Sequence, residues 1–266
     1  MRLTHRDDPE TGDFPGERVF ASKVDVKYVL HDATDRPDTL VVAFGAASET
    51  GKPPHYRWNK VLGDLTCHRL FVLDDHGPRD PLPRPNWYLG QGRGFATPDS
   101  ICELIDSIAA ELRVNRRNVV TVGSSMGGWA ALYFGVRVGA GHAIVGEPQT
   151  RLGDYLCGPA FHELAEHIAG GSSDDDAEFL DAILFDAFRE ADSPPNAQIL
   201  CGRESPYLEL HVRPLAALLD ELGLPHQVEL VASSEHPDIA VAFPSFLRAR
   251  LGEIMSARES EVGSHS

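Results

Sequence analysis

Between residues 39 and 251, short β-branched apolar runs alternate with longer stretches whose apolar residues recur at helical spacing. TLVVAFGAA (39–47), HRLFVLDDHG (68–77), NVVTVG (118–123), HAIVGEPQ (142–149), NAQILCG (196–202) and HQVELVAS (226–233) read as strands. The central ones are apolar at consecutive positions rather than at every second one, the pattern of strands covered on both faces. TPDSICELIDSIAAELRV (97–114) is the plainest helix, with Ile101, Leu104, Ile105, Ile108 and Leu112 on one stripe. Thr97 is placed to cap it and Pro98 suits its first turn. MGGWAALYFGVRV, RPLAALLDELG (213–223) and IAVAFPSFLRARL (239–251) are further helices, and VFASKVDVKYVL (19–30) holds one or two more strands. Strand followed repeatedly by helix predicts an α/β fold, a mostly parallel central sheet with helices on both faces.

At 266 residues and 42% hydrophobic content the chain suits one domain with a sizeable core. That domain is expected over 18–255, flanked by a flexible arm (1–17) and a flexible tail (256–266). Residues 154–192 carry two helical stretches around GGSSDDD (170–176), read as a solvated linker. They interrupt the strand series and are expected to form a small helical cap over the carboxyl edge of the sheet. A net charge of −16 disfavours nucleic acid and anionic membranes as partners. No run approaches the roughly 20 apolar residues of a membrane span, and MRLTHRDDPETGDFPGER has no apolar h-region. The expectation is a cytoplasmic protein with no signal peptide. Cys67, Cys102, Cys157 and Cys201 are scattered, without a CxxC pair, and are expected as reduced thiols.

The stretch TVGSSMGGWAAL (121–132) joins a strand to a helix through G-x-S-x-G centred on Ser125. A nucleophile on such a turn sits in a strained backbone, so residues two positions either side must be small. Gly123 and Gly127 meet that demand for Ser125, whereas Ser124 would face Val122 and Met126. A serine hydroxyl then needs a base, and the base an orienting acid, in the chain order Ser, acid, His. His236, between the last strand and the last helix, is the candidate base. For the acid, Glu204 follows the penultimate strand, and Glu147 closes HAIVGE at another strand end. Asp238 is a poorer candidate, because two residues along a loop is awkward geometry for orienting His236. The amides of Met126 and of Ala46, after VVAFGAA, are the candidate oxyanion donors.

Three other patterns carry less. HELAEH (162–167) is one residue too long to place two histidines on one zinc, so no metal is expected. GQGRG (90–94) lacks a surrounding βαβ unit and reads as a mobile lip, and no cofactor is expected. Trp87, Tyr88 and Trp58 are possible stacking platforms for a sugar.

NWYLGQGRGF, GSSMGGWAALYFG and IVGEPQTRLGDYL, in that order, resemble a branch of the serine α/β-hydrolases. That branch holds the accessory Sec glycan O-acetyltransferase and related capsular-polysaccharide biosynthesis proteins. The likeness covers about residues 39–240 and is strongest over 86–156. It implies an α/β-hydrolase fold and a Ser–Glu–His triad, which match onto Ser125, Glu204 and His236 and so favour Glu204 over Glu147. It also implies a glycan or glycoconjugate hydroxyl as the acyl acceptor or the site of the ester. The expected activity is that of a serine esterase or deacetylase. Transfer of the acyl group to a sugar hydroxyl is the alternative, and a non-catalytic binding module a second one. The oligomeric state is not indicated.

Overall fold

A computed structural model describes residues 5–6, 14–34, 37–48, 52–78 and 84–263. Among the described residues nine strands form one sheet: β1 (His5–Arg6), β2 (Glu17–Phe20), β3 (Val26–His31), β4 (Leu40–Phe44), β5 (His68–Val72), β6 (Val119–Ser124), β7 (His142–Gly146), β8 (Asn196–Gly202) and β9 (His226–Val231). Their order across the sheet is β1-β2-β3-β5-β4-β6-β7-β8-β9. The run from β5 to β9 is parallel throughout, and β1 to β3 add an antiparallel margin beside β5. The helices are α1 (Asn59–Leu62), α2 (Ala96–Leu112), α3 (Met126–Val138), α4 (Leu152–Leu156), α5 (His162–Ala169), α6 (Asp174–Glu190), α7 (Arg213–Glu221) and α8 (Ile239–Gly263).

Strand periodicity explains the two layers. Successive side chains of a strand point to opposite faces, and β4 divides accordingly. Leu40, Val42 and Phe44 enter a core with α2, α3, α6 and α7, while Val41 and Ala43 enter a second core with α8. The expected mostly parallel sheet, covered on both faces, is the observed one.

Local details depart from expectation. α2 begins at Ala96, so Thr97 lies buried inside the first turn instead of capping it. The arm expected over 1–17 contributes β1 and the first residue of β2; its other residues up to 13 lie outside the described ones. The tail expected from Ser256 is helical to Gly263, because Arg258 ties α8 back to the sheet. Its guanidinium donates to Thr39 Oγ1 (3.0 Å) and to the carbonyls of Asn118 (3.3 Å) and Arg117 (2.8 Å).

The insertion between β7 and β8 folds as α4, α5 and α6. GGSSDDD is more than a solvated linker. Ser173 and Asp176 form a reciprocal capping box that starts α6. The 90–94 segment is fastened to it rather than free: Gly92 and Arg93 N–H donate to the His167 and Ile168 carbonyls (2.9 and 2.6 Å). These are last-turn carbonyls of α5 that no residue of the helix itself can satisfy. Arg93 also donates to Asp175 (2.8 Å) and Asp176 (2.9 Å).

Candidate active site

Parallel strands deliver their carboxyl ends to one edge of the sheet, where such folds place their ligands. Ser125 leaves β6 with φ 57° and ψ −124° and opens α3. This left-handed conformation is held by a bond from Ser125 N–H to the Gly146 carbonyl (2.9 Å) and by Gly128 and Trp129 N–H donating back to the Ser125 carbonyl. A Cβ on Gly123 would overlap the Gly127 carbonyl, and one on Gly127 would lie 2.7 Å from the Gly45 oxygen. The small-neighbour rule therefore has a direct steric cause, and it presses the loop after β4 against the serine turn. Ser124 ends β6, buried and paired with Gly146.

Glu147 follows β7 with φ 39° and is fully buried. Its Oε1 accepts the Gly202 N–H (2.9 Å) and lies 3.7 Å from the Cys201 thiol. Its Oε2 accepts from His236 Nδ1 at 2.6 Å. A carboxylate only accepts, so Nδ1 carries the proton and Nε2 is free to accept. Ser125 Oγ lies 3.0 Å from that Nε2 and donates to it. Burial pushes the Glu147 carboxyl up, but hydrogen bonds from His236, Gly202 and Ser205 outweigh it and leave the group below its ordinary value. Cys201 moves the other way, to about 12, through burial and the neighbouring Glu147 charge.

The structure thus brings Ser125 and His236 together as expected but sets Glu147, not Glu204, on the imidazole. β8 ends at Gly202, which gives its N–H to Glu147; Glu204, two residues further, turns into solvent. Its backbone N–H donates to the Ser233 carbonyl (3.1 Å), so it steadies the His236 loop without touching the ring. Asp238 is likewise occupied elsewhere, accepting from Ser233 Oγ at 3.2 Å. Gly202 is what admits Glu147, its missing side chain leaving room for the carboxylate: a Cβ there would stand 3.1 Å from Glu147 Oε1.

Met126 is the first residue of α3, so its N–H has no preceding helical turn to bond to. Ala46 follows Gly45, whose carbonyl carbon would lie 2.9 Å from a Cβ on Gly127. Gly45 is held by Tyr88: its N–H donates to the Tyr88 hydroxyl at 2.7 Å. Tyr88 and Trp87 both have φ 58°, and the buried Asp74 carboxylate secures them by accepting Asn86 N–H (2.7 Å) and Tyr88 N–H (2.9 Å). Burial pushes Asp74 up to about 7. Trp87 and Tyr88 are each 1% exposed, so neither offers a face to a sugar. Trp58 is half-buried, and its indole N–H donates to the Phe44 carbonyl (3.0 Å).

Sequence reading missed Tyr207, which stacks on the His236 imidazole with centroids 4.0 Å apart and planes 8° from parallel. Among the described residues no group of three or more His, Cys, Asp or Glu could hold a metal ion, and His162 of HELAEH pairs with Glu166 instead (3.0 Å). No described helix is long and apolar enough to cross a membrane.

No family model matches the chain, and no curated protein matches it in sequence. Solved structures do match in shape. The capsule O-acetyltransferase of Neisseria meningitidis serogroup A superposes with a TM-score of 0.74 at 18% identity, over 93% of this chain and 97% of that one. The Glycosylation Associate Protein (Gap123) complex of Streptococcus agalactiae gives 0.72 at 17%, over 90% and 47%. An S-formylglutathione hydrolase of Agrobacterium tumefaciens gives 0.61 at 12%, over 93% and 98%.

Proposed function

On this α/β-hydrolase fold, we propose that the chain is an ester-acting enzyme working through an acyl group on Ser125. The observation that carries the reading is the relay from Ser125 Oγ to His236 Nε2 (3.0 Å) and from His236 Nδ1 to Glu147 Oε2 (2.6 Å). Ser125 Oγ attacks the ester carbonyl carbon while its proton passes to Nε2, and Glu147 stabilises the resulting imidazolium. Met126 and Ala46 N–H face the oxyanion, each worth about 3–4 kcal/mol in the transition state. The imidazolium returns the proton to the departing alkoxide, leaving acyl-Ser125. Water, deprotonated by His236, then attacks the acyl carbon and restores the serine. The buried Glu147, held below its ordinary value, stays ionised at neutral pH.

The second reading replaces water with a sugar hydroxyl, giving an O-acetyltransferase. It is supported by the capsule O-acetyltransferase, whose chain is matched over 97% of its length. Purified protein with p-nitrophenyl acetate and a fluorophosphonate probe, beside Ser125→Ala, tests the common chemistry. Turnover and labelling confined to wild type are expected. Neither in wild type would reject the enzyme reading and leave a binding module. Mass spectrometry of acetyl transfer to added sugars separates the two acceptors.

A further inference from the structure

Two hydrogen bonds fix the nitrogens of the base but not the tilt of its plane. With Nδ1 held by Glu147 and Nε2 by Ser125, the imidazole can still tilt about the line through its two nitrogens as far as its Cβ shifts with the loop. The ties of its loop hold backbone rather than ring: Ser234 and Glu235 are exposed, Ser233 Oγ donates to the Glu235 carbonyl (3.2 Å) and to Asp238 (3.2 Å), and Glu204 and Asp238 N–H donate to the Ser233 and Glu235 carbonyls (3.1 Å each). Tyr207, lying flat on the imidazole, is the group that blocks the tilt.

Tyr207 is itself fixed at both ends. Its N–H donates to Ser205 Oγ (3.3 Å), and it precedes the π-helical turn Leu208–Val212. Its hydroxyl accepts from Gln149 Nε2 (3.4 Å), and Gln149 Oε1 accepts from Trp87 Nε1 (3.1 Å). Gln149 and Trp87 are 2% and 1% exposed, so the plate is anchored in the interior. Trp87 in turn packs against Tyr155 of α4 at 5.8 Å.

Resting on the acyl-serine reading, we infer that Tyr207 is the positioning residue for His236, setting the ring plane and presenting its π face to the imidazolium that forms when Ser125 gives up its proton. A cation over an aromatic face is attracted by the ring quadrupole. The other neighbour of Tyr207, His211 (5.0 Å between centroids), brings no competing charge. Burial pushes it down to about 4, and its Nδ1 accepts the Arg151 N–H at 3.2 Å.

The test compares Tyr207→Leu and Tyr207→Phe in the full chain with p-nitrophenyl acetate, alongside wild type and Ser125→Ala. Tyr207→Leu is expected to lose roughly 2- to 30-fold in kcat, the span corresponding to a cation–π contact, with KM within about twofold. Tyr207→Phe keeps the face and loses only the hydroxyl, so it should restore most of kcat. Equal losses in both, or no loss in Tyr207→Leu, would overturn the inference while leaving the acyl-serine reading intact. Inert wild type would reject that reading instead. Carbethoxylation of His236 by diethylpyrocarbonate, followed by mass spectrometry, then decides: faster modification in Tyr207→Leu than in Tyr207→Phe supports a positioned ring, and equal rates refute it.

Discussion

Replacing Glu147 by glutamine removes one charge and almost no volume, yet no orientation of the new amide fits the site. Glu147 Oε2 receives His236 Nδ1–H and Oε1 receives Gly202 N–H. If the amide nitrogen faces Gly202, two donors meet in a fully buried place, leaving unmade bonds that cost about 1–3 kcal/mol. If it faces His236, Nδ1 must become an acceptor, which moves the ring proton to Nε2 and blocks proton uptake from Ser125. Either way the imidazolium loses its counter-charge. The wrong tautomer alone is worth roughly 10⁴-fold in a comparable triad, or about 5.4 kcal/mol at 1.36 kcal/mol per tenfold. The expected kcat/KM of Glu147→Gln with p-nitrophenyl acetate is therefore lower by about 10³- to 10⁴-fold, with far-ultraviolet circular dichroism retained. Glu204→Gln, at an exposed carboxylate, should stay within about twofold. A Glu147→Gln enzyme keeping half its activity, or a Glu204→Gln enzyme losing tenfold, would show that the relay is misassigned.

Three further outcomes are expected. Asp74 is raised to about 7 in the fold, so folding is penalised as pH climbs from the unfolded carboxyl value of about 3.9 towards 7. Asp74→Asn lacks the titration, and its melting temperature should gain on wild type across that window and level off above it; a pH-independent difference would contradict this. Gly123→Ala should lower stability by roughly 3 kcal/mol or more in urea unfolding and abolish activity, because the new Cβ meets the Gly127 carbonyl. Tyr88→Phe withdraws the acceptor of Gly45 N–H beside the oxyanion loop, and should cost about 1–3 kcal/mol of stability and roughly tenfold or more in kcat.

Composition and periodicity carried the architecture because the chain's central strands are buried on both faces. VVTVG and HAIVG have no polar face that could be mistaken for another pattern, and the glycines around Ser125 leave one steric solution. The acid was harder. Both Glu147 and Glu204 follow strands in the required order, and only lateral strand order separates them. β6 lies next to β7, whose end carries Glu147, while β8 lies one strand beyond. That neighbour relation is a property of pairing across dozens of residues, invisible along the chain. The resemblance to glycan O-acetyltransferases pointed to Glu204, whereas the structure sets Glu147 on the imidazole, since matching motifs in order does not say which carboxylate turns inward. Tyr207 was hidden differently: a tyrosine in a loop carries no periodic signal, and its role exists only against the imidazole. The ordered end of α8 depends on Arg258 reaching carbonyls more than a hundred residues away.

α8 can be regarded as a beam. One end abuts the His236 loop at the carboxyl edge of the sheet, and the other is bolted beneath the amino ends of β4 and β6 through Arg258. Between them, Phe243 fills the space left by Gly146, immediately before Glu147. At about 1.5 Å per residue the Arg258 anchor lies roughly 30 Å along the beam from the imidazole. The same helix thus runs from that remote joint to the loop of the base, so engineering at the far end of the molecule is to be scored by turnover as well as by melting temperature.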